Sequence, residues 1–155
     1  MTHEYPAMKD LFGTHENKLD AKGRVSVPAS FRNAWKDVPE MTLIIRPSAV
    51  PDCLEVWPEP TYEQFRQEVR ALPKNTPERL AQETIVFSQA VPAEIDPQGR
   101  ISIPADLAEE IGLSASVCFV GRGDYFQIWD PAKAKAFLKA TRAHIHKVAI
   151  EAPSS

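Results

Sequence analysis

The chain repeats one segment of its own sequence at a constant spacing, and this repeat restricts the fold more than any other feature. Residues 19–31 (LDAKGRVSVPASF) align with residues 95–107 (IDPQGRISIPADL) at an offset of 76 positions. With one four-residue gap, the similarity extends from residue 19 to Phe65 in the first segment and from residue 95 to Phe137 in the second. A repeat of this length indicates a duplicated structural unit.

The repeat predicts how the chain is divided. We expect copy one over residues 9–72, a connecting helix over 73–84, copy two over 85–146, and flexible tails at 1–8 and 151–155. The connection is too short to act as a flexible linker, so the two copies should pack against each other.

Both copies have the pattern of a β-hairpin. Apolar and polar residues alternate on both sides of Asp-x-x-Gly-Arg, which predicts two half-buried strands. Asp and Gly between them suit a tight reversal, because Gly readily adopts positive φ and Asp can accept hydrogen bonds from nearby backbone. A second apolar strand pair follows and ends at Trp57 in copy one and at Trp129 in copy two, where we expect core packing. The pattern predicts a β-rich α+β fold.

Helices should follow the strands. Pro28 and Pro104 stand where a helix can begin, and Gly112 is a candidate C-cap. Thr76 and Asp130 are candidate N-caps. Helical apolar spacing then predicts two amphipathic helices, with core faces Tyr62, Phe65, Val69 and Leu72 in copy one, and Ala134, Phe137, Leu138 and Ile145 in copy two.

Charge is segregated along the chain. The formal net charge is −3, which alone argues against a nucleic-acid partner. Residues 9–36, however, carry six basic against three acidic residues, and residues 131–150 carry five basic and no acidic residues. This distribution is compatible with one basic face on an acidic body.

The tip of the first hairpin is the candidate nucleic-acid contact. Alternation places Leu19, Val25 and Val27 on one face, and the candidate contact residues on or beside the other: Lys18, Asp20, Lys22, Gly23, Arg24 and Ser26. Arginine can bond guanine or clamp a phosphate, and a neighbouring carboxylate can fix its rotamer. The alternative is an Asp–Arg pair that only staples the hairpin; spacing alone does not decide between them.

The second motif differs in charge. Asp96, Gly99 and Arg100 repeat the motif, but Glu94 replaces Lys18 and Gln98 replaces Lys22. Residues 85–112 carry one basic and five acidic residues, a surface that should repel DNA. We therefore expect copy one to supply most of the contact and Arg100 to be mainly structural.

Several classes of site have no support in the sequence. Cys53 and Cys118 lie in apolar settings without a metal-ligand partner, which favours two reduced core thiols. The recurring polar groups bring no nucleophile or second carboxylate together, so we expect no catalytic residues, metal, cofactor or small-molecule substrate. Neither a signal peptide nor a membrane-spanning segment is visible, and we expect a cytoplasmic protein.

These residues resemble the MraZ family of bacterial regulators, which contain two SpoVT-AbrB domains. The resemblance covers about Leu11 to His146. It rests on the paired D-x-x-G-R-x-x-x-P motifs (Asp20 to Pro28, Asp96 to Pro104) and on the segment VGRGDYFQIWD at 120–130.

The resemblance implies both a fold and a function. The fold would be an AbrB-like swapped-hairpin (double-split) β-barrel, in which two units interleave about a pseudo-twofold axis with helices at the periphery. Family members form closed rings and bind direct repeats in double-stranded DNA upstream of the division and cell-wall gene cluster, mainly as repressors. The family's DNA-contact motif maps onto Asp20, Lys22, Gly23 and Arg24, and association with the nucleoid follows. In that family the first motif lies close to the start codon, so Met8 is a candidate alternative start.

A second class of function stays open. The chain could be a ring-forming adaptor or an antitoxin-like module that binds another protein rather than a specific DNA sequence. A salt-dependent shift on DNA distinguishes this alternative from the regulator.

Overall fold

A computed structural model describes residues 8–49 and 52–151, with the side chains of 150 and 151 left out. Met8 packs against the core and Glu151 ends the last helix, while the remainder of both predicted tails lies outside the described residues. Copy one contains the following elements: β1 (Thr14–Lys18), β2 (Arg24–Ser26), α1 (Ala29–Ala34), β3 (Thr42–Pro47), β4 (Cys53–Pro58) and α2 (Glu59–Ala71).

The same order recurs after the connection. The connection forms α3 (Pro77–Glu83) and continues as a π-helical turn over Thr84–Ser88, rather than as one uniform helix. Copy two then contains these elements: β5 (Val91–Glu94), β6 (Arg100–Ser102), α4 (Ala105–Glu110), β7 (Ser116–Gly121), β8 (Phe126–Trp129) and α5 (Pro131–Glu151). The prediction of a β-rich α+β chain is confirmed.

The strands form one antiparallel sheet of six strands and a separate ribbon of two. The sheet has the order β1-β7-β8-β4-β3-β5, and the ribbon pairs β2 with β6. The first strand of each copy therefore pairs within the other copy's half of the sheet, β1 with β7 and β5 with β3. In the part of the chain that the structure describes, β1 and β5 are the two ends of an open sheet, and no closed barrel forms.

The pairing is symmetric with respect to the repeat. In the ribbon, Val25 lies opposite Ile101, its own repeat equivalent at the offset of 76. In the middle of the sheet, Glu55 lies opposite Gln127, which is its equivalent after the four-residue gap. Both central pairings thus join the same position of the two copies.

The main core lies between the sheet and the ribbon. Val25, Val27 and Ile101 of the ribbon are almost fully buried, and Phe31 packs its ring at 5.0 Å from the ring of Phe126. The segment before β1 closes this core: Leu11 is buried, and its backbone N–H donates to the Gly123 carbonyl. The predicted apolar face of the hairpins is therefore the face that builds the core.

Helices α2 and α5 cover the other face of the sheet. Under α2, the ring of Trp57 stacks on that of Tyr125 at 4.3 Å. Under α5, Trp129 packs between Cys53 and Cys118, each of which lies opposite it on a neighbouring strand. Strand spacing puts the two cysteine Cα atoms about 10 Å apart, beyond the reach of a disulfide. Neither cysteine forms a disulfide, and burial raises the pKa of each thiol.

Most predicted helix ends are confirmed. Thr76 Oγ1 accepts a hydrogen bond from the Arg79 N–H, and Asp130 Oδ2 accepts one from the Lys133 N–H. Gly112 has φ of +73° and ends α4 as a C-cap, because its N–H and the next residue's N–H both return to the last turn of the helix.

Pro28 and Pro104 stand at the starts of helices as expected; they are the N-cap residues, with ψ of 137° and 134°, and α1 and α4 begin one residue later. One expectation about the helices is wrong. Ile145 does not face the core: its side chain is 59% exposed, because the sheet ends before α5 does.

Candidate nucleic-acid interface

The Asp20 carboxylate organises the turn of the first hairpin. Its Oδ1 accepts hydrogen bonds from the backbone N–H groups of Lys22 (2.9 Å) and Arg24 (2.8 Å). Its Oδ2 accepts a third hydrogen bond from Arg24 Nε at 2.8 Å. Gly23 closes the turn with φ of +79°, and a Cβ there would lie 3.2 Å from the Ile103 carbonyl oxygen. The motif residues therefore form one connected unit.

The second turn repeats this geometry. Asp96 Oδ1 accepts from the backbone N–H groups of Gln98 and Arg100, both at 2.9 Å, and Oδ2 accepts from Arg100 Nε at 2.8 Å. Gly99 has the same φ of +79°. The Asp–Arg pair considered from sequence is thus present in both copies, and in both it uses only the Nε edge of the guanidinium.

Hydrogen bonding keeps both aspartates ionised. The Arg24 backbone N–H is the largest cause that lowers the pKa of Asp20, and the Arg24 side chain and the Lys22 N–H add to it. The equivalent groups of Arg100 and Gln98 lower the pKa of Asp96 in the same way. At neutral pH each arginine is therefore held by a charged partner.

The ribbon brings both motifs to one surface. Arg24 lies opposite Ser102, and Ser26 lies opposite Arg100, on the face away from the core. Residues in this diagonal relation have Cα atoms about 7–8 Å apart. The two arginines are therefore parts of one surface rather than of two separate sites.

The ends of this surface differ in charge. Lys18 and Lys22 are exposed beside Arg24, whereas Glu94 and Gln98 are exposed at the corresponding places beside Arg100. In the described part of the chain, Lys18 and Lys22 form no ion pair, so their charge is available to a ligand. The difference predicted from the sequence is thus present on a single continuous face.

Arg32 is a candidate contact that the sequence did not suggest. Its Nε donates to the Val27 carbonyl at 3.1 Å, and its guanidinium lies against the second turn, where a Cβ on Gly99 would be 2.9 Å from Arg32 Nε. The repeat equivalent of Arg32 is the uncharged Ala108. Copy one therefore places a positive charge at the acidic end of the surface, and copy two places none at the basic end. Only the strand pairing between copies reveals this placement.

A second polar cluster lies under α2. Arg46 Nη2 and Nε donate to Glu55 Oε1 at 3.1 and 3.2 Å, and Trp57 Nε1 donates to the same oxygen at 2.9 Å. The Tyr62 hydroxyl, within 3.4 Å of Arg46 Nη1, donates to the Val86 carbonyl. In copy two the repeat equivalents form the same arrangement: Arg122 and Trp129 both donate to the Gln127 side-chain oxygen. These clusters connect the helices to the sheet, and they lie on the face of the sheet away from the ribbon.

Metal-binding clusters and membrane-spanning helices are absent from the described residues. Within 8–49 and 52–151, no group of three or more His, Cys, Asp or Glu side chains is placed to hold a metal ion. None of the described helices is both long enough and apolar enough to cross a membrane.

The fold and the ribbon define a tandem-repeat protein that presents a paired Asp–Arg motif on one face. Comparison with known proteins gives the family. The profile of a family described as "MraZ protein, putative antitoxin-like" matches residues 11–84 and 86–150. The chain belongs to the MraZ family.

Its relatives match along most of their length. A transcriptional regulator MraZ from Gluconacetobacter diazotrophicus is 37% identical over 148 residues, which cover 94% of each chain. Proteins of the same name from Rickettsia bellii (37% identity; 84% of this chain, 87% of the relative) and Rhodospirillum rubrum (36%; 83% and 84%) are also similar. The solution structure of PHS018 from Pyrococcus horikoshii has 13% identity and a TM-score of 0.36 over 79% of this chain and 97% of that one, a likeness too remote to bear on the fold.

Proposed function

We propose that this chain is a DNA-binding transcriptional regulator that contacts DNA through the outer face of the β2–β6 ribbon, mainly at its copy-one end. The observation that carries the proposal is the first turn, where Asp20 fixes Arg24 between two exposed lysines, Lys18 and Lys22. The regulator names of the relatives support the same class of function.

The geometry of Arg24 suits recognition of bases or phosphates. Asp20 holds Nε, so the two terminal nitrogens of the guanidinium, for which no partner is found among the described residues, can bond a guanine edge or a phosphate. A two-stranded ribbon fits the major groove of B-DNA. Lys18 and Lys22 would add phosphate contacts, and Arg32 would offset the acidic end beside Gly99.

The family resemblance supplies the finer proposals. We infer that the protein represses the division and cell-wall gene cluster by binding direct repeats upstream of its own gene, and that it works in the cytoplasm on the nucleoid. A closed ring of subunits would place several ribbons along the repeats. One ribbon with few cations binds weakly at physiological salt, and linked ribbons gain roughly 10²–10⁴-fold through effective concentration.

We also infer that the two copies adopt the interleaved swapped-hairpin arrangement of AbrB-like proteins. The exchanged pairing of β1 with β7 and of β5 with β3 supports it, as do the central pairs of repeat equivalents. In this arrangement neither copy would fold alone, because each contributes strands to the other's half of the sheet.

A protein-interaction module is the second candidate. Leu80, Ile85 and Phe87 are exposed on α3 and the π turn, and the family description includes the term antitoxin-like. An enzyme has no support from the family, whose relatives are named regulators.

The first experiment is an electrophoretic mobility shift with the upstream region of the protein's own gene, over roughly 50–200 mM salt. We expect a discrete shift that weakens with salt and is lost in Arg24→Ala, because that variant removes the fixed guanidinium.

Arg100→Ala is the matched control, since it breaks the same Asp–Arg pair at the acidic end. It should lower the melting temperature and retain most of the binding. Equal loss of binding from both variants, with folding preserved, would contradict the asymmetry. No shift from folded wild-type protein at low salt would favour the protein-interaction module.

A further inference from the structure

Helices α2 and α3 leave an open groove on the outer face of copy one. The groove has a volume of about 260 Å³. Its floor contains the apolar side chains of Phe65, Val69, Leu72 and Val86, of which Val69 and Val86 are almost fully buried, and Gln82 adds a polar side chain to the lining. Glu68 and Glu78 line its rim, both are exposed, and neither forms an ion pair with another described residue. The groove thus combines an apolar base with unneutralised negative charge.

Helix α5 extends beyond the sheet that it covers. Its first turns pack through Ala134, Phe137 and Leu138, but from residue 139 to 149 every side chain except Thr141 is exposed. Its counterpart α2 ends after 13 residues, at Ala71, whereas α5 runs for 21. We call residues 139–149 the overhang.

The overhang continues an apolar stripe into solvent. Ile145 and Val148, one turn apart, are 59% and 48% exposed, and Ile145 is two turns from Leu138, which packs on the sheet. Large apolar side chains on a helix that has no covering element mark an interaction surface. The stripe is the one predicted to face the core, and no strand among the described residues reaches it.

The overhang is basic, whereas the rim of the groove is acidic. Lys139 and Arg142 share one exposed face with Ile145, and Lys147 adds a third cation on another side of the helix. Among the described residues these three cations form no ion pair, while Lys133, in the docked part of α5, pairs with Asp52. Both surfaces therefore lack a charge partner, and their signs are opposite.

We propose that the overhang of one subunit lies in the α2–α3 groove of a neighbouring subunit. Ile145 and Val148 would cover the apolar floor, with Lys139 and Arg142 facing Glu68 and Glu78. An overhang of 11 residues is about 16 Å long, which suits a helix-in-groove contact. Because the two surfaces are different parts of the molecule, the contact is head-to-tail, and each subunit offers one overhang and one groove. The inference rests on the oligomer in the proposed function and names the surfaces that build it.

Charge reversal tests the contact. Lys139→Glu/Arg142→Glu and, separately, Glu68→Lys/Glu78→Lys should each raise the subunit dissociation constant by about tenfold or more, because like charges then face each other. Sedimentation velocity measures the distribution of species. Combining the four substitutions should restore the oligomer, which a merely destabilised fold would not do. Lys135→Glu, on the docked part of α5, is the control, because Lys135 is exposed and pairs with no described residue, and it should leave the oligomer unchanged.

The outcomes distinguish a failure of the proposed subunit contact from a failure of the proposed DNA binding. Unchanged oligomers in both reversed variants, or no rescue by the combination, would overturn the contact and leave DNA binding through Arg24 intact. Loss of DNA binding from Lys139→Glu/Arg142→Glu with the oligomer preserved would assign the basic face to nucleic acid instead and would also overturn it. A monomeric wild-type protein would refute both the contact and the ring.

Discussion

The two turns of the ribbon have the same geometry and different charge. Each aspartate accepts three hydrogen bonds, and the corresponding lengths differ by at most 0.1 Å between copies. Yet Lys18 and Lys22 flank one arginine, while Glu94 and Gln98 flank the other. The backbone conformation depends on Asp, Gly and Arg, and the flanking positions are free to set the charge. Two hairpins with the same backbone geometry can therefore differ in whether their charge favours contact with DNA.

The largest expected effect comes from giving the first turn the charges of the second. Lys18→Glu/Lys22→Gln keeps Asp20, Gly23 and Arg24 and should lower operator affinity on the order of a hundredfold or more, because phosphate contacts are lost and a carboxylate is added. Fluorescence anisotropy of labelled operator DNA at several salt concentrations measures this affinity. Lys135→Glu/Lys74→Gln makes the same charge change outside the ribbon, at two exposed lysines that pair with no described residue, and should have little effect on DNA affinity. Affinity that survives the first change would show that charge is not what distinguishes the turns.

The reverse change should have an intermediate effect. Glu94→Lys/Gln98→Lys should raise DNA affinity by about tenfold. The plot of log affinity against log salt concentration should also become steeper, with a slope that changes by up to about two for each ribbon bound to DNA. Ala132→Lys/Ala136→Lys, at two exposed positions on the docked part of α5, is the control for added positive charge. If the slope stays that of the wild type, the copy-two end of the ribbon faces away from the DNA.

The smallest effect concerns pH and should be the same in both copies. Because folding lowers the pKa of Asp20 and Asp96, each carboxylate stabilises the fold above its ordinary pKa of 3.8, and that contribution is lost as the pH falls below it. The melting temperatures of Asp20→Asn and Asp96→Asn should lie below that of the wild type by an amount that is constant between about pH 5 and 8 and shrinks under more acidic conditions. Different profiles for the two variants would mean that the turns are not equivalent in solution.

Local features were predictable from the sequence because they depend on neighbouring residues. The alternation around Val25 and Val27 gave the buried face of the hairpin, and Thr76, Gly112 and Asp130 marked helix ends. These signals need only backbone preferences and a period of apolar residues.

Features that depend on how separate elements pack in three dimensions were missed. Arg32 looks like an ordinary helical arginine until β2 pairs with β6 and brings Gly99 beneath it. Glu55 alternates with apolar residues as an outward-facing strand residue would, but α2 covers it and leaves its side chain 12% exposed. Ile145 continues a helical stripe correctly, and its exposure follows only from where the sheet ends.

The central pair of the sheet shows what joining the two copies in one gene allows. Glu55 and Gln127 are equivalent positions that lie opposite each other. In a dimer of identical polypeptides, one codon would specify both residues, and two glutamates directly opposite would repel. Here separate codons supply a carboxylate on one side, which binds Arg46 and Ser48, and an amide on the other. Covalent fusion thus permits an unlike pair at a point where a homodimer would be restricted to like residues.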